Sequence, residues 1–185
     1  MAEVKVIKID SPFLDQKPGT SGLRKSTLKF QEDHYLEIFI EAILLSLEDL
    51  QSSTLVVGGD GRYGNIEAIE KIVQICLAHK VKKVIVPKYG LLSTPATSHL
   101  IRKENAIGGI ILSASHNPGG IDGDFGVKLN ISNGGPAPEI ITNKIFKASQ
   151  LLTSYKICKI QLPDFSEYGT YPYDETTLQL SLIHI

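Results

Sequence analysis

Apolar positions recur along this chain in two rhythms, one typical of strands and one typical of helices. Short apolar runs predict buried strands, and apolar residues three or four positions apart predict amphipathic helices. The predicted strands cover residues 4–9, 54–58, 83–87, 108–112 and 126–131. The predicted helices cover 34–50 with Asp33 as its cap, 65–79, a third segment starting at Ser93-Thr94-Pro95, and 138–152.

Alternation of strands and helices predicts an α/β fold with a mixed, mostly parallel sheet sandwiched by helices. Residues 1–155 are expected to form this domain, with a long loop over residues 10–25. Periodicity weakens afterwards, so residues 156–185 are interpreted as a weakly structured tail. Its last six residues, 180–185, end abruptly on apolar side chains and are interpreted as truncated or foreign sequence.

Three loops are expected at the carboxyl ends of the strands, where binding sites gather in parallel sheets. They cover residues 59–62, 88–94 and 113–120. In the last of them, Ser113-Ala114-Ser115-His116-Asn117-Pro118-Gly119-Gly120 follows a buried strand. Asn-Pro-Gly-Gly ends regular structure, so Ser115 is displayed beside free amides that suit an anion. A G-x-S-x-G hydrolase elbow is absent there, and a generic exposed turn serine remains the alternative.

Composition limits the classes of partner. The net charge is −1, with 42% hydrophobic and 21% charged residues, and the lysines are not clustered. No large basic surface for nucleic acid or an anionic membrane is therefore expected. The N-terminus lacks a signal peptide's apolar core, and only two cysteines occur, which favours a soluble cytoplasmic protein with reduced thiols. Oligomeric state is not readable from the sequence.

Several familiar sequence motifs occur here without the accompanying residues that their usual function requires. Residues 59–64 match G-x-G-x-x-G, but the following strand ends without an acidic residue to hold a ribose. A tight turn whose Asp60 and Arg62 bond to neighbouring loops is the preferred interpretation. Residues 124–126 match a kinase triplet without the other kinase motifs, and the five histidines lack metal-ligand spacing.

Two further segments contain positively charged side chains. Residues 17–25 carry hydroxyls and end in Arg24 and Lys25, and Lys128 lies within an apolar strand. A solvent-facing lysine is the simpler interpretation of Lys128. Together, however, three cations and a serine would suit phosphoryl transfer, because a phosphoserine carries about −1.5 to −2 charge.

Five segments, taken in order, resemble the first domain of the α-D-phosphohexomutase superfamily in its eukaryotic phosphoglucomutase branch. The likeness extends from about residue 4 to about residue 155, and the Ser-His-Asn-Pro core marks the superfamily. The segments are Pro18-Gly19-Thr20-Ser21-Gly22-Leu23-Arg24-Lys25, Gly58-Gly59-Asp60-Gly61-Arg62, Leu92-Ser93-Thr94-Pro95-Ala96, residues 113–120, and residues 130–139.

The resemblance implies reversible interconversion of glucose 1-phosphate and glucose 6-phosphate, with sugar phosphates as the small-molecule partners. Ser115 would be the phosphoserine, primed by glucose 1,6-bisphosphate, and Mg²⁺ would bridge its phosphate. Arg24 and Lys128 match residues that surround the phosphoserine and assist catalysis, and His116 matches a supporting neighbour. Thr20 and Ser21 would bind the phosphate or orient Arg24.

The resemblance also implies that three further domains are missing, with their metal, sugar and phosphate loops. The chain alone is therefore expected to turn over glucose 1-phosphate negligibly. Ser113 stands where threonine is common and Leu129 where an aromatic residue is common. The alternative is a non-catalytic structural or adhesion relative, against which the intact Ser115, His116 and Asn117 argue.

Overall fold

The computed structural model describes residues 3–181, which form nine strands and five helices within that range. The helices are α1 (Thr27–Gln31), α2 (Tyr35–Ser46), α3 (Asn65–Ala78), α4 (Thr94–Lys103) and α5 (Glu139–Ser149). The strands are β1 (Val4–Lys8), β2 (Leu23–Ser26), β3 (Thr54–Gly59), β4 (Lys83–Pro87), β5 (Gly108–Leu112), β6 (Asp124–Ile131), β7 (Ser154–Cys158), β8 (Gly169–Tyr173) and β9 (Thr176–Ser181).

Seven of these strands form one sheet in the order β2-β6-β5-β3-β4-β9-β8. The central strands β5, β3, β4 and β9 are parallel, whereas β2, β6 and β8 join antiparallel at the two ends. β1 and β7 pair antiparallel in a separate two-stranded sheet. The expected α/β fold with a mixed sheet is confirmed.

Helices cover both faces of the sheet. Leu55 and Val57 of β3 point into the larger core beneath α2 and α3, whereas Val56 points to the opposite face against Ile101 of α4. This alternation follows from the two-residue period of a strand. Within residues 3–181, no helix combines the length and apolar character needed to cross a membrane.

Two predicted helix caps have different outcomes. Ser93 caps α4 as predicted, its side chain accepting a hydrogen bond from the Ala96 N–H at 3.3 Å. The prediction of Asp33 as the cap of α2 is wrong. The helix begins one residue later than a cap at Asp33 requires, and His34 takes the cap position at φ 70° without a side-chain bond.

The two stretches expected to lack regular structure contain strands. β2 begins at the end of the predicted loop 10–25, and the predicted tail 156–185 contains the end of β7 and all of β8 and β9. β9 is ordered by its parallel pairing with β4, a contact that local periodicity does not show. Leu180 of the suspected foreign terminus is 2% exposed within β9, whereas residues 182–185 lie outside the described residues.

Candidate active site

The turn after β5 displays Ser115 at the surface. Ser115 is exposed and lies at φ 58°, in the left-handed region that a side chain disfavours by about 1–2 kcal/mol. Its N–H donates to Ser113 Oγ at 3.0 Å, and the Asn117 N–H closes the turn on the Ala114 carbonyl at 3.2 Å. Surrounding contacts therefore hold the serine in a conformation that the free peptide would rarely adopt.

Arg62 reaches this turn from the loop after β3. Its side chain is 6% exposed and pairs with Asp60, with 2.7 Å between Arg62 Nη2 and Asp60 Oδ2. The guanidinium also donates to two carbonyls, that of Asp124 and, at 3.4 Å, that of Ser115. The prediction that Asp60 and Arg62 bond to neighbouring loops is confirmed.

The Asp60 carboxylate is stabilised in its charged form. Partial burial raises its pKa, but hydrogen bonds from Arg62 and from the Ser113 hydroxyl, together with the Arg62 charge, outweigh that effect and lower the pKa below its ordinary value. Asp60 is therefore held as an anion by two residues that both contact the main chain of Ser115.

Arg24 and Lys128 lie on one face of the sheet, beside the strand that leads to Ser115. Arg24 of β2 is opposite Gly126 of β6, and Lys128 is two residues further along β6. Their neighbours Leu23 and Val127 point into the larger core, so both cations point to the other face. Gly126 accepts the Ser113 N–H at 2.9 Å, which brings the serine turn alongside the same two strands.

The positive charge of Arg24 acts on Lys128. Burial lowers the pKa of Lys128, and the positive charge of Arg24 lowers it further. Arg24 Nε is buried and has no hydrogen-bond partner among residues 3–181. Arg24 and Lys128, brought together without an ion pair in the described part of the chain, favour an anion between or beside them.

Replacing Arg24 by glutamine is expected to raise the pKa of Lys128, because removing a nearby positive charge favours the protonated amine. The measurement is an NMR titration of the Lys128 side chain in the 185-residue chain. Lys25→Gln is the matched control, since Lys25 pairs instead with Asp15 at 3.2 Å. An unchanged Lys128 titration in Arg24→Gln would contradict the proposed proximity.

A second set of contacts fixes the far side of the serine loop. Asn117 Nδ2 donates to Asp124 Oδ2 at 2.7 Å, and the Asp124 N–H donates to the Pro118 carbonyl at 2.8 Å. At Gly123, an added Cβ would lie 2.3 Å from the Pro118 oxygen. The loop therefore closes tightly onto the start of β6, and a side chain at Gly123 would open it.

The remaining predicted site residues are exposed and have fewer contacts with the rest of the site. His116 is exposed next to Ser115 in the turn. Thr20 and Ser21 form the exposed tip between Gly19 and Gly22, whose N–H and C=O groups pair at 3.0 Å. Within residues 3–181, neither hydroxyl has a hydrogen bond to Arg24 or to the Ser115 turn. Their suggested roles in binding phosphate or orienting Arg24 remain predictions.

The residues described here do not suffice for a magnesium site. Among residues 3–181, no three His, Cys, Asp or Glu side chains are grouped to hold a metal ion. Asp60 is paired with Arg62, and Asp124 accepts from Asn117. A phosphate on Ser115 would offer oxygen ligands, but Mg²⁺ needs near-octahedral coordination that residues 3–181 do not complete.

Ser113 is the site residue whose role the sequence did not predict. Its hydroxyl joins Asp60 to the Ser115 N–H. The strand pattern carried a signal for this residue. Ser113 continues the alternation of β5, so its side chain lies on the same face of the sheet as Ile111 and as Lys128, the register partner of Ile111 on β6. The sequence pattern could place the side chain on that face but not beside Asp60.

Comparisons with known proteins show the family of this chain. Residues 15–156 match the family described as phosphoglucomutase/phosphomannomutase, alpha/beta/alpha domain I. The chain is 54% identical over 174 residues to the phosphoglucomutase of Aspergillus fumigatus, covering 94% of this chain and 31% of that relative. It is 50% identical over 175 residues to human phosphoglucomutase-1, covering 92% of this chain and 31% of that protein.

Among solved structures, the open form of parafusin from Paramecium, a phosphoprotein also described as a phosphoglucomutase, matches with a TM-score of 0.90. That match has 38% sequence identity and covers 96% of this chain and 34% of the other. The chain thus spans about a third of the length of the relatives it matches. The chain belongs to the phosphoglucomutase/phosphomannomutase family and comprises its alpha/beta/alpha domain I.

Proposed function

We propose that this chain is the phosphoserine-bearing part of a phosphoglucomutase, an isomerase that interconverts glucose 1-phosphate and glucose 6-phosphate. One observation carries the proposal. An exposed serine in a constrained turn follows the strand paired with β6, and β2 and β6 bring Arg24 and Lys128 together with no ion pair to an acidic residue among residues 3–181. The relatives named above as phosphoglucomutases support the choice of reaction.

In the proposed reaction, the phosphoryl group passes from Ser115 Oγ to a free hydroxyl of the sugar monophosphate. The bond between phosphorus and Ser115 Oγ breaks, a bond to the sugar oxygen forms, and the sugar hydroxyl loses its proton. The bisphosphate so formed returns its other phosphoryl group to Ser115, which restores the phosphoserine. The cycle therefore leaves the chain unchanged and the sugar isomerised.

Arg24 and Lys128 have different proposed roles in this phosphoryl transfer. The Arg24 guanidinium neutralises the phosphoryl oxygens. Lys128 has a lowered pKa, which makes it the better of the two for accepting or returning a proton. His116, adjacent to the nucleophile, is proposed to have a supporting role.

The proposed partners are glucose phosphates, with glucose 1,6-bisphosphate as the activating intermediate. Magnesium is proposed to act with the complete protein, and its further ligands would come from residues beyond those described here. No step of the proposed chemistry is assigned to it. Cys76 and Cys158 are both buried free thiols, which is consistent with a proposed cytoplasmic location.

The proposal is tested in a chimaera in which this chain replaces the matching third of the Aspergillus fumigatus phosphoglucomutase. After incubation with glucose 1,6-bisphosphate, mass spectrometry of the proteolysed chimaera is expected to find phosphate on the peptide containing Ser115. Ser113→Ala tests the assignment within that peptide, since the phosphate should remain. Absence of phosphate from Ser115 in a folded chimaera would contradict the proposal and favour a non-catalytic relative.

A further inference from the structure

Both main-chain polar groups of Ser115 are held by side chains that converge on Asp60. The Ser115 N–H donates to Ser113 Oγ at 3.0 Å, and the Ser115 carbonyl accepts from Arg62 Nη2 at 3.4 Å. Arg62 Nη2 also lies 2.7 Å from Asp60 Oδ2. The Ser113 hydroxyl lies close enough to the Asp60 carboxylate to help lower its pKa.

The burial of the Arg62 side chain separates it from the groups proposed to meet a substrate. The Arg62 side chain is 6% exposed, whereas Ser115 is exposed. The donors of Arg62 are directed to Asp60 and to two main-chain carbonyls. Arg62 is therefore arranged to hold protein backbone rather than to bind an incoming phosphate.

Arg62 also connects the serine turn to the strand that carries a cation. One of its two carbonyl acceptors belongs to Asp124, the first residue of β6, and Lys128 lies four residues further along that strand. The guanidinium therefore ties the turn of Ser115 to the strand of Lys128. A planar group with several fixed donors suits this task better than a lysine would.

We infer that Ser113, Asp60 and Arg62 form a positioning clamp that holds the Ser115 backbone in its left-handed conformation and so sets where the hydroxyl points. The inference rests on the proposed function, because the hydroxyl being positioned is the proposed phosphoryl carrier. In-line transfer is sensitive to such positioning, and a displacement of about 1 Å can cost about 100-fold in rate. The clamp residues are directed to one another and to main-chain groups, so kcat should fall with little change in KM.

The kinetic test compares clamp variants in the chimaera. Arg62→Gln is expected to lower kcat about 100-fold. Ser113→Ala should lower it about tenfold, while Ser113→Thr, which keeps the hydroxyl, should restore most of the activity. Arg102→Gln is the matched control, because Arg102 donates to a loop carbonyl at Asn133, away from the clamp. Thermal unfolding of each variant separates lost activity from lost fold.

A second measurement uses the 185-residue chain itself and needs no catalysis. Amide hydrogen exchange at Ser115, followed by NMR, is expected to speed up at least about tenfold in Ser113→Ala. Exchange in Ser113→Thr should remain close to that of the unsubstituted chain. Arg62→Gln should speed exchange at Ser115 while leaving the amides of β3 unaffected.

The outcomes separate the two proposals. If Ser115 exchange in Ser113→Ala and Arg62→Gln stays within twofold of the unsubstituted chain, the clamp is overturned. An equal fall of kcat in Ser113→Thr and Ser113→Ala would also overturn it, since the hydroxyl would then not matter. A chimaera that never acquires phosphate on Ser115 contradicts the proposed function, while the exchange rates still decide whether the clamp exists.

Discussion

Replacing Ser115 by alanine in the chimaera is expected to lower kcat for glucose 1-phosphate by at least about 10⁴-fold, the scale on which enzymes lose activity with their covalent nucleophile. Alanine leaves the turn without an oxygen to carry the phosphoryl group. Arg24 and Lys128 would still attract sugar phosphates, so substrate binding should persist. The measurement is the rate of glucose 6-phosphate formation together with binding of glucose 1-phosphate.

Ser132→Ala provides the matched control for that experiment. Ser132 is also an exposed serine that follows a strand. It lies just after the last residue of β6, whereas the loop of Ser115 contacts the first residue of that strand. Its replacement should leave kcat within about twofold, as expected for a surface position away from special features. Retention of substantial activity by Ser115→Ala would show that another residue carries the phosphate.

Substituting Gly126 by alanine is expected to destabilise the chain by about 3 kcal/mol, the upper part of the range for overpacking. An added Cβ would lie 2.3 Å from the Ser113 carbonyl oxygen and 3.0 Å from the Ser113 carbonyl carbon. Both atoms belong to main chain rather than to a flexible side chain. β6 also pairs with β2 and β5 on its two sides, so it cannot shift without breaking one pairing.

The free energy of unfolding in urea measures this effect, with Gly19→Ala as the control. Gly19 has ordinary backbone angles, and an added Cβ there would meet nothing within 4 Å. Alanine at Gly19 is therefore expected to change stability by less than about 0.5 kcal/mol. A Gly126→Ala chain as stable as Gly19→Ala would mean that β5 and β6 separate more easily than their packing indicates.

Strands and helices with strong local signals were predicted well. β4 and β5 have the predicted bounds, and α3 ends within one residue of its prediction, because each contains an apolar pattern that its own residues define. The strands that were missed depend on distant partners. β2 has four residues and is ordered by β6, about 100 positions later, and β9 is ordered by β4.

The same distinction applies to the candidate site. The exposure of Ser115 was predicted from the turn chemistry of the residues after β5. Arg24 and Lys128 lie on one face of neighbouring strands, and the roles that the family resemblance implies for them stay predictions. The contacts among Ser113, Asp60 and Arg62 depend on two loops meeting in space, the loop after β3 and the loop after β5, which no local pattern shows. Thr20 and Ser21 match the family motif, but they lie at the tip of the turn that precedes β2, between Gly19 and Gly22.

The position of β2 has a consequence for how the site responds to thermal motion. β2 is the outermost strand and pairs on one side only, with β6. An edge strand of four residues can detach while the parallel centre stays intact, because few hydrogen bonds need to break. Such fraying would move Arg24 away from β6, while the turn that carries Ser115 stays attached to β5 and to the start of β6.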